Sequence, residues 1–326
     1  MALSLSQIII HEFNVIMKVK SILVSCYIAL CGLSFPAYVH AEENFVREDV
    51  MQNLQEGDKI ALLMVHFGTT HDDTRALTID AINQKAKAEF PQLEFREAYT
   101  SRIIMRRLAK RGVRKLNPVE ALAQLKAEGY THVIIQSTNI IDGIEMESLR
   151  KDIDQMRPLF KEIRLGMPLL YTPDDYRQVI DCLAEKSRDK TFTILVGHGT
   201  YTPATAQYAM LDYMLQAEGH SDFAVGTVEG YPTFDNAIDR LQAQKKIKQV
   251  QLVPFMFVAG DHAKNDIAVD MKEALEEKGY KVTPLMEGLG EQPAIQQIYI
   301  DHIRFILQHR QIDIVKKKKD YANAKD

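Results

Sequence analysis

Two stretches of this chain constrain its fold more than any other feature. "KIALLMVHFGTTHDDT" begins at Lys59 and "FTILVGHGTYTPAT" at Phe192. Each is an unbroken aliphatic run that ends at a glycine and leads into a helix-forming segment. An apolar run with no polar alternation reads as a strand buried on both faces, the signature of a parallel sheet covered by helices. Because the pattern occurs twice, the chain reads as two copies of one unit.

The rest of the chain follows the same plan. After "ALLMVHFG" come the helix "DDTRALTIDAINQKAKAEFP", the strand "LEFREAY" and the helices "SRIIMRRLAKRG" and "NPVEALAQLKAEG". The second of these carries Pro118 at its start and Gly129 at its end, the usual asymmetry of helix termini. "THVIIQST", "IEMESLRKDIDQM" and "EIRLGMPLL" complete the first half. The second half runs strand, helix, strand, helix from "FTILVGHGT" to "YKVTPLME", then ends in the helix "PAIQQIYIDHIRFILQH". Alternating strands and helices predict an α/β fold of two similar doubly wound parallel-sheet domains with a cleft between them. The expected boundaries are 42–58 for a lead-in, 59–170 for the N-terminal domain, 171–190 for a linking helix and loop, 191–310 for the C-terminal domain and 311–326 for a charged tail.

The segment before residue 42 reads differently. From Met17, "MKVKSILVSCYIALCGLSFPAYVHAEEN" places Lys18 and Lys20 before an apolar run, then Val39-His40-Ala41 as a small-residue cleavage site. This is the pattern of a secretory signal peptide over 1–41 with its start at Met17. The apolar run is shorter than the roughly 20 residues of a membrane span. The expected mature protein is therefore periplasmic and has no membrane span. Lipidation at Cys26 is left open. Cys26 and Cys31 fall within the signal, so the mature chain keeps Cys182 alone and has no internal disulfide. Apolar residues at 46% suffice for a packed core, and a net charge of −4 without any Trp argues against nucleic acid as a partner.

In open α/β sheets, ligands bind at the carboxyl ends of the strands. In the second half those ends carry His198 in "VGHGT", Glu229 in "TVEGYP" and His262 in "AGDHA", 31 and 33 positions apart. Two imidazoles and a carboxylate suit borderline divalent ions such as cobalt, iron, nickel or zinc. Aligning the halves sets Phe67 against His198 and Glu145 against His262, so a metal site is expected on the second repeat alone, facing the cleft. Taken singly, each residue has a plainer reading: a satisfied polar strand end, a helix cap, a helix start.

These segments also resemble a known family. "ALLMVHFGTTHDDTR", "EFREAYTSRIIMRRL", "THVIIQSTNIIDGIEMESL", "LVGHGT", "TVEGYP" and "VPFMFVAGDHAKNDI" are similar to the anaerobic sirohydrochlorin cobaltochelatases. These are ATP-independent chelatases related to ferrochelatase. The resemblance implies that His198, Glu229 and His262 bind the metal, with His198 and Glu229 in catalytic roles. It implies insertion of a divalent metal, Co²⁺ or else Fe²⁺ or Ni²⁺, into a tetrapyrrole as in cobalamin biosynthesis. No ATP is called for, and no Walker-type loop is present. A bound haem is neither required nor excluded. Further copies of the chain are expected as partners.

The tetrapyrrole substrate would carry many carboxylates. Arg102, just past a strand end, is the expected clamp; Arg106, Arg107, Lys110 and Arg111 read as a solvated helix face. Tyr201 is expected either on the cleft or in packing. Asn139 stands in "QSTN" where the resemblance implies that a His is frequent, and a polar contact to substrate is expected there. His66, beside Phe67, offers either a further cleft ligand or a hydrogen bond. Two other readings differ in class. One is a periplasmic haem- or metal-binding protein without turnover. The other, a histidine phosphatase, needs an Arg before the His, where this chain has Gly197.

Overall fold

In the computed structural model, residues 44–260 and 263–323 are described. The signal segment with Cys26 and Cys31, the last three residues, and Asp261 and His262 lie outside them. Strands form where the aliphatic runs predict them. The first sheet takes Ile60–His66, Glu94–Tyr99, His132–Ser137 and Glu162–Leu165; the second takes Thr191–Gly199, Phe223–Glu229, Gln249–Phe255 and Lys281–Pro284. Every pairing within both sheets is parallel. In each sheet the first strand of the repeat lies between the second and the third, with the fourth outermost, so the two orders are identical. The repeat read from sequence is thus a repeat of topology, and the fold is α/β with two parallel sheets.

The chemistry of the strands explains their place. All seven residues of Ile60–His66 are buried, as are the first seven of Thr191–Gly199. A central parallel strand is covered on both faces, and burying each Leu or Ile there contributes about 1.5–3 kcal/mol. Helices supply the cover. Leu122 and Leu125 of helix Pro118–Ala127, with Leu149 and Ile153 of helix Ile144–Met156, pack on Leu63, Val65 and Ile135. In the second half Ile238, Leu241 and Leu275 pack on Ile194, Val196 and Leu252. Asn117 caps Pro118–Ala127 through a reciprocal bond with Glu120, and Gly129 beyond it takes φ +86°, as the termini predict.

Two helices join the halves. Pro173–Ala184 follows the first sheet, started by a capping box between Thr172 and Asp175. Its Cys182 is buried, and burial pushes the thiol pKa up. The final helix, Pro293–Gln308, packs on that linking helix and on strand His132–Ser137 of the first sheet. His302 Nε2 meets Asp175 Oδ1 at 3.0 Å, both residues buried. Arg164 of the first sheet donates to the Ile306 and Leu307 carbonyls at 3.0 and 3.1 Å, satisfying the end of the final helix. Among the described residues no helix is long and apolar enough to cross a membrane.

Candidate active site

The carboxyl ends of both sets of strands open onto one cleft of about 650 Å³. The first half contributes the turn after His66, the helix start after Ser101 and the segment Thr138–Glu145. The second half contributes His198–Thr202, Glu229 and Phe255–Val258. Glycines bring the second-half strand ends together. Gly199 has φ +85°, and a Cβ placed there would lie 1.5 Å from the Glu229 carbonyl oxygen. Gly197 lies over the Tyr208 ring, where a Cβ would meet Cε1 at 2.4 Å. Burial pushes the Tyr208 hydroxyl up to about 12, and the Gly199 backbone hydrogen-bonds it.

His198 is half-buried on this platform. Its Nδ1 lies 3.2 Å from the Gly199 carbonyl oxygen. A carbonyl only accepts, so Nδ1 carries a proton, and in the neutral ring the lone pair is then on Nε2. That tautomer suits both metal ligation and proton acceptance. Glu229 ends the neighbouring strand opposite Gly199. The loop after it is anchored at both ends: Thr227 Oγ1 donates to the Pro232 carbonyl at 2.7 Å, and Thr205 Oγ1 to the Tyr231 carbonyl at 2.7 Å. His198 and Glu229 therefore share one rigid edge of the cleft. His262, like Asp261, lies outside the described residues; Gly260 before them lines the cleft, and Ala263 after them is buried. Among the described residues no three His, Cys, Asp or Glu side chains gather closely enough to hold a metal ion.

The facing wall is apolar and exposed. Phe67, Ile103 and Ile144 line it while remaining at least half exposed, and Tyr201, 82% exposed, lines the second-half side. Large apolar side chains held open to solvent in a concavity mark a ligand surface. Glu145, at the start of its helix, adds a first-half carboxylate to the cleft. Sequence comparison of the halves set it opposite His262 without giving it a role.

His66 is fully enclosed. Its Nε2 is 2.9 Å from Asn83 Oδ1, and its Nδ1 is 3.0 Å from Thr138 Oγ1. Asn83 Nδ2 donates to Glu97 at 2.9 Å, which fixes the amide so that its oxygen faces His66. His66 therefore donates from Nε2 and accepts from Thr138. With both nitrogens engaged it is held by hydrogen bonds, not offered as a cleft ligand. Burial lowers its pKa below 6.5, with Glu97 opposing. At pH 6.5 an unperturbed imidazole is half protonated. His66 is expected to be neutral there, in the Nε2–H form, by ¹⁵N chemical shifts; a half-protonated ring would contradict the assignment. Since the unfolded chain protonates this side chain first, its contribution to stability is lost as pH falls below about 6.5.

Asn139 lines the cleft and its backbone is fixed. Its amide donates to Ser137 Oγ at 3.0 Å, and its carbonyl accepts from Leu169 N at 2.9 Å. Tyr299 of the final helix, wholly buried, donates to the Thr138 and Asn139 carbonyls at 3.1 and 3.2 Å. No sequence pattern marks Tyr299, because its role depends on the final helix crossing to the first sheet. Tyr299→Phe is expected to cost about 1–2 kcal/mol in urea unfolding, since both carbonyls lose the hydroxyl. An unchanged midpoint would show that the tie is slack.

The arginine expected at the strand end is displaced. Arg102 is exposed, lies off the cleft and acts on Asp152, whose carboxyl burial pushes up and Arg102 pulls down. Arg107, read from sequence as part of a solvated face, lines the cleft instead.

Comparison with known proteins now decides the family. Residues 60–308 match the model of the cobalt chelatase (CbiK) family. The chain belongs to this family. It is 39% identical over 253 residues to the sirohydrochlorin cobaltochelatase of Salmonella typhimurium, an alignment covering 75% of this chain and 95% of that protein. It is 31% identical over 257 residues to sirohydrochlorin cobaltochelatase CbiKC of Nitratidesulfovibrio vulgaris, covering 75% and 89%. Among solved structures, SirB from Bacillus subtilis with Fe³⁺ superposes with a TM-score of 0.56 at 13% identity, covering 76% of this chain and 96% of SirB. That likeness supports the chelatase fold.

Proposed function

We propose that this chelatase inserts a divalent metal, Co²⁺ first among candidates, into sirohydrochlorin or a closely related tetrapyrrole. One observation carries the reading: a cleft with exposed apolar walls has a half-buried imidazole at its second-half edge, on the strand end paired with Glu229. A planar macrocycle is apolar on its faces and loses two pyrrole N–H protons as the metal enters. The edge of His198 and Glu229 supplies a ligand that holds the ion and a base that takes a proton. His262 is proposed as the third metal ligand. A small protein ligand set suits the task, because the ion must leave it for four ring nitrogens. Metal is substrate here, and the pocket lies at strand ends with no Walker-type loop for ATP.

The test is anaerobic incubation of purified protein with sirohydrochlorin and Co²⁺, Fe²⁺ or Ni²⁺, followed by absorbance. Metallated product forming faster than without protein supports the reading. Binding of metal and tetrapyrrole with no acceleration favours the carrier reading. We also propose that the protein is exported, on the strength of the Met17–Ala41 pattern. N-terminal sequencing of the mature protein should begin near Glu42, and an intact Met1 or Met17 would overturn this.

A further inference from the structure

We propose that a basic pocket at the edge of the first sheet binds a small multivalent oxyanion, a phosphate or a polycarboxylate, and that its occupancy is felt at the cleft through His66. The pocket holds about 510 Å³, and no residue lines both it and the cleft. Its walls come from helix Ala81–Glu89, edge strand Glu94–Tyr99 and the segment 114–116. Four cations, Lys87, Arg96, Arg114 and Lys115, line it against two carboxylates, Asp80 and Glu97. That excess runs against the chain's net charge of −4. Two of the cations are committed. Arg96 pairs with Glu94 and Glu128, and Lys115 with Glu97. Asp80 is taken by Arg75 at 3.1 Å. Arg114 and Lys87 have no carboxylate partner among the described residues. Lys87 Nζ lies 4.4 Å over the Phe95 ring, a contact that leaves N–H groups of the ammonium for a ligand. A guanidinium and an ammonium from two walls suit an anion with several oxygens. Arg114 can take two in bidentate fashion and Lys87 a third.

The pocket reaches the cleft by hydrogen bonds. Glu97, paired with Lys115, accepts from Asn83 Nδ2 at 2.9 Å, and Asn83 Oδ1 accepts from His66 Nε2 at 2.9 Å. His66 lines the cleft and stacks on Phe257 of the second half, with ring centroids 6.3 Å apart. Lys115 and Glu97 also act on His66 through space. Burial lowers the His66 pKa most, Glu97 raises it and Lys115 lowers it. An anion beside Lys115 competes with Glu97 for the ammonium. Glu97 then leans more on Asn83, and the change arrives at His66.

The experiment titrates inorganic phosphate and citrate separately into the purified chain at constant ionic strength. Calorimetry gives the affinity, and the His66 ring ¹⁵N shifts are followed in parallel. Wild type is compared with Arg114→Ala, Lys87→Ala and Lys278→Ala, the last an exposed cation away from pocket and cleft. At least one anion is expected to bind with a Kd of about 1 mM or tighter and to move the His66 shifts. Tighter phosphate marks the ligand as a phosphate, and tighter citrate as a polycarboxylate. Each pocket variant is expected to weaken binding about tenfold, the weight of one charge-assisted contact, and Lys278→Ala hardly at all. No binding of either anion up to about 10 mM would overturn the site. An equal loss in all three variants would also overturn it, since that would report bulk charge. Binding that leaves the His66 shifts unmoved would overturn the link to the cleft. Neither metal nor tetrapyrrole is present, so these results stand apart from the chelatase reading.

Discussion

Replacing His198 with alanine is expected to lower kcat/KM for metal insertion by about 10³-fold while the fold survives. One side chain holds two duties in this account. It binds the ion through Nε2, and the same lone pair accepts a pyrrole proton as the ion moves into the ring. Both duties depend on the tautomer set by the Gly199 carbonyl, 3.2 Å from Nδ1. The residue is half-buried at a strand end shaped by its flanking glycines. Its loss should therefore shift stability by no more than about 1 kcal/mol. Retained wild-type insertion in His198→Ala would place the chemistry elsewhere in the cleft. A large loss of stability would instead make His198 a structural residue.

Gly199→Ala is expected to be at least as damaging, for a different reason. The new methyl would lie 1.5 Å from the Glu229 carbonyl oxygen and 2.6 Å from its carbon, so the backbones themselves must separate. Neither group is a flexible side chain that can swing aside. The residue also holds φ +85°, which disfavours any Cβ. Overpacking and backbone strain together should cost about 2–4 kcal/mol. The strand ends that carry His198 and Glu229 would move apart, and insertion should fall further than stability predicts. Gly219→Ala is the matched control. It shares a positive φ of +95° but has nothing within 4 Å of the added Cβ, so only conformational strain remains, about 1 kcal/mol. Equal costs at the two glycines would show that the Gly199–Glu229 approach is not tight.

The legible parts of this protein are those in which local pattern decides the outcome. The central strand of each sheet follows from an aliphatic run too continuous to be anything but a buried strand, and the shared strand order follows from the repeat. Strand ends next to glycines pointed to His198 and Glu229, and the structure sets both on one cleft. What the sequence hid depends on phase or on distant partners. Arg102 and Arg107 belong to the same basic helix, and which of them faces the cleft depends on how Leu108 docks in the core. His66 stayed open between a cleft ligand and a hydrogen bond because Asn83 and Thr138, its two partners, lie 17 and 72 residues away. Tyr299 carries no motif, and its contact with Thr138 and Asn139 exists because the final helix returns to the first sheet. Long-range packing of this kind leaves no periodic trace.

The central claim is turnover, and counting product per chain tests it most directly. Purified protein at low concentration is mixed anaerobically with excess sirohydrochlorin and Co²⁺, and metallated product is quantified by absorbance against protein. The account predicts many moles of cobalt-sirohydrochlorin per mole of chain, with the yield lost in His198→Ala. A yield that stops at one per chain, or that is unchanged in the variant, would contradict it.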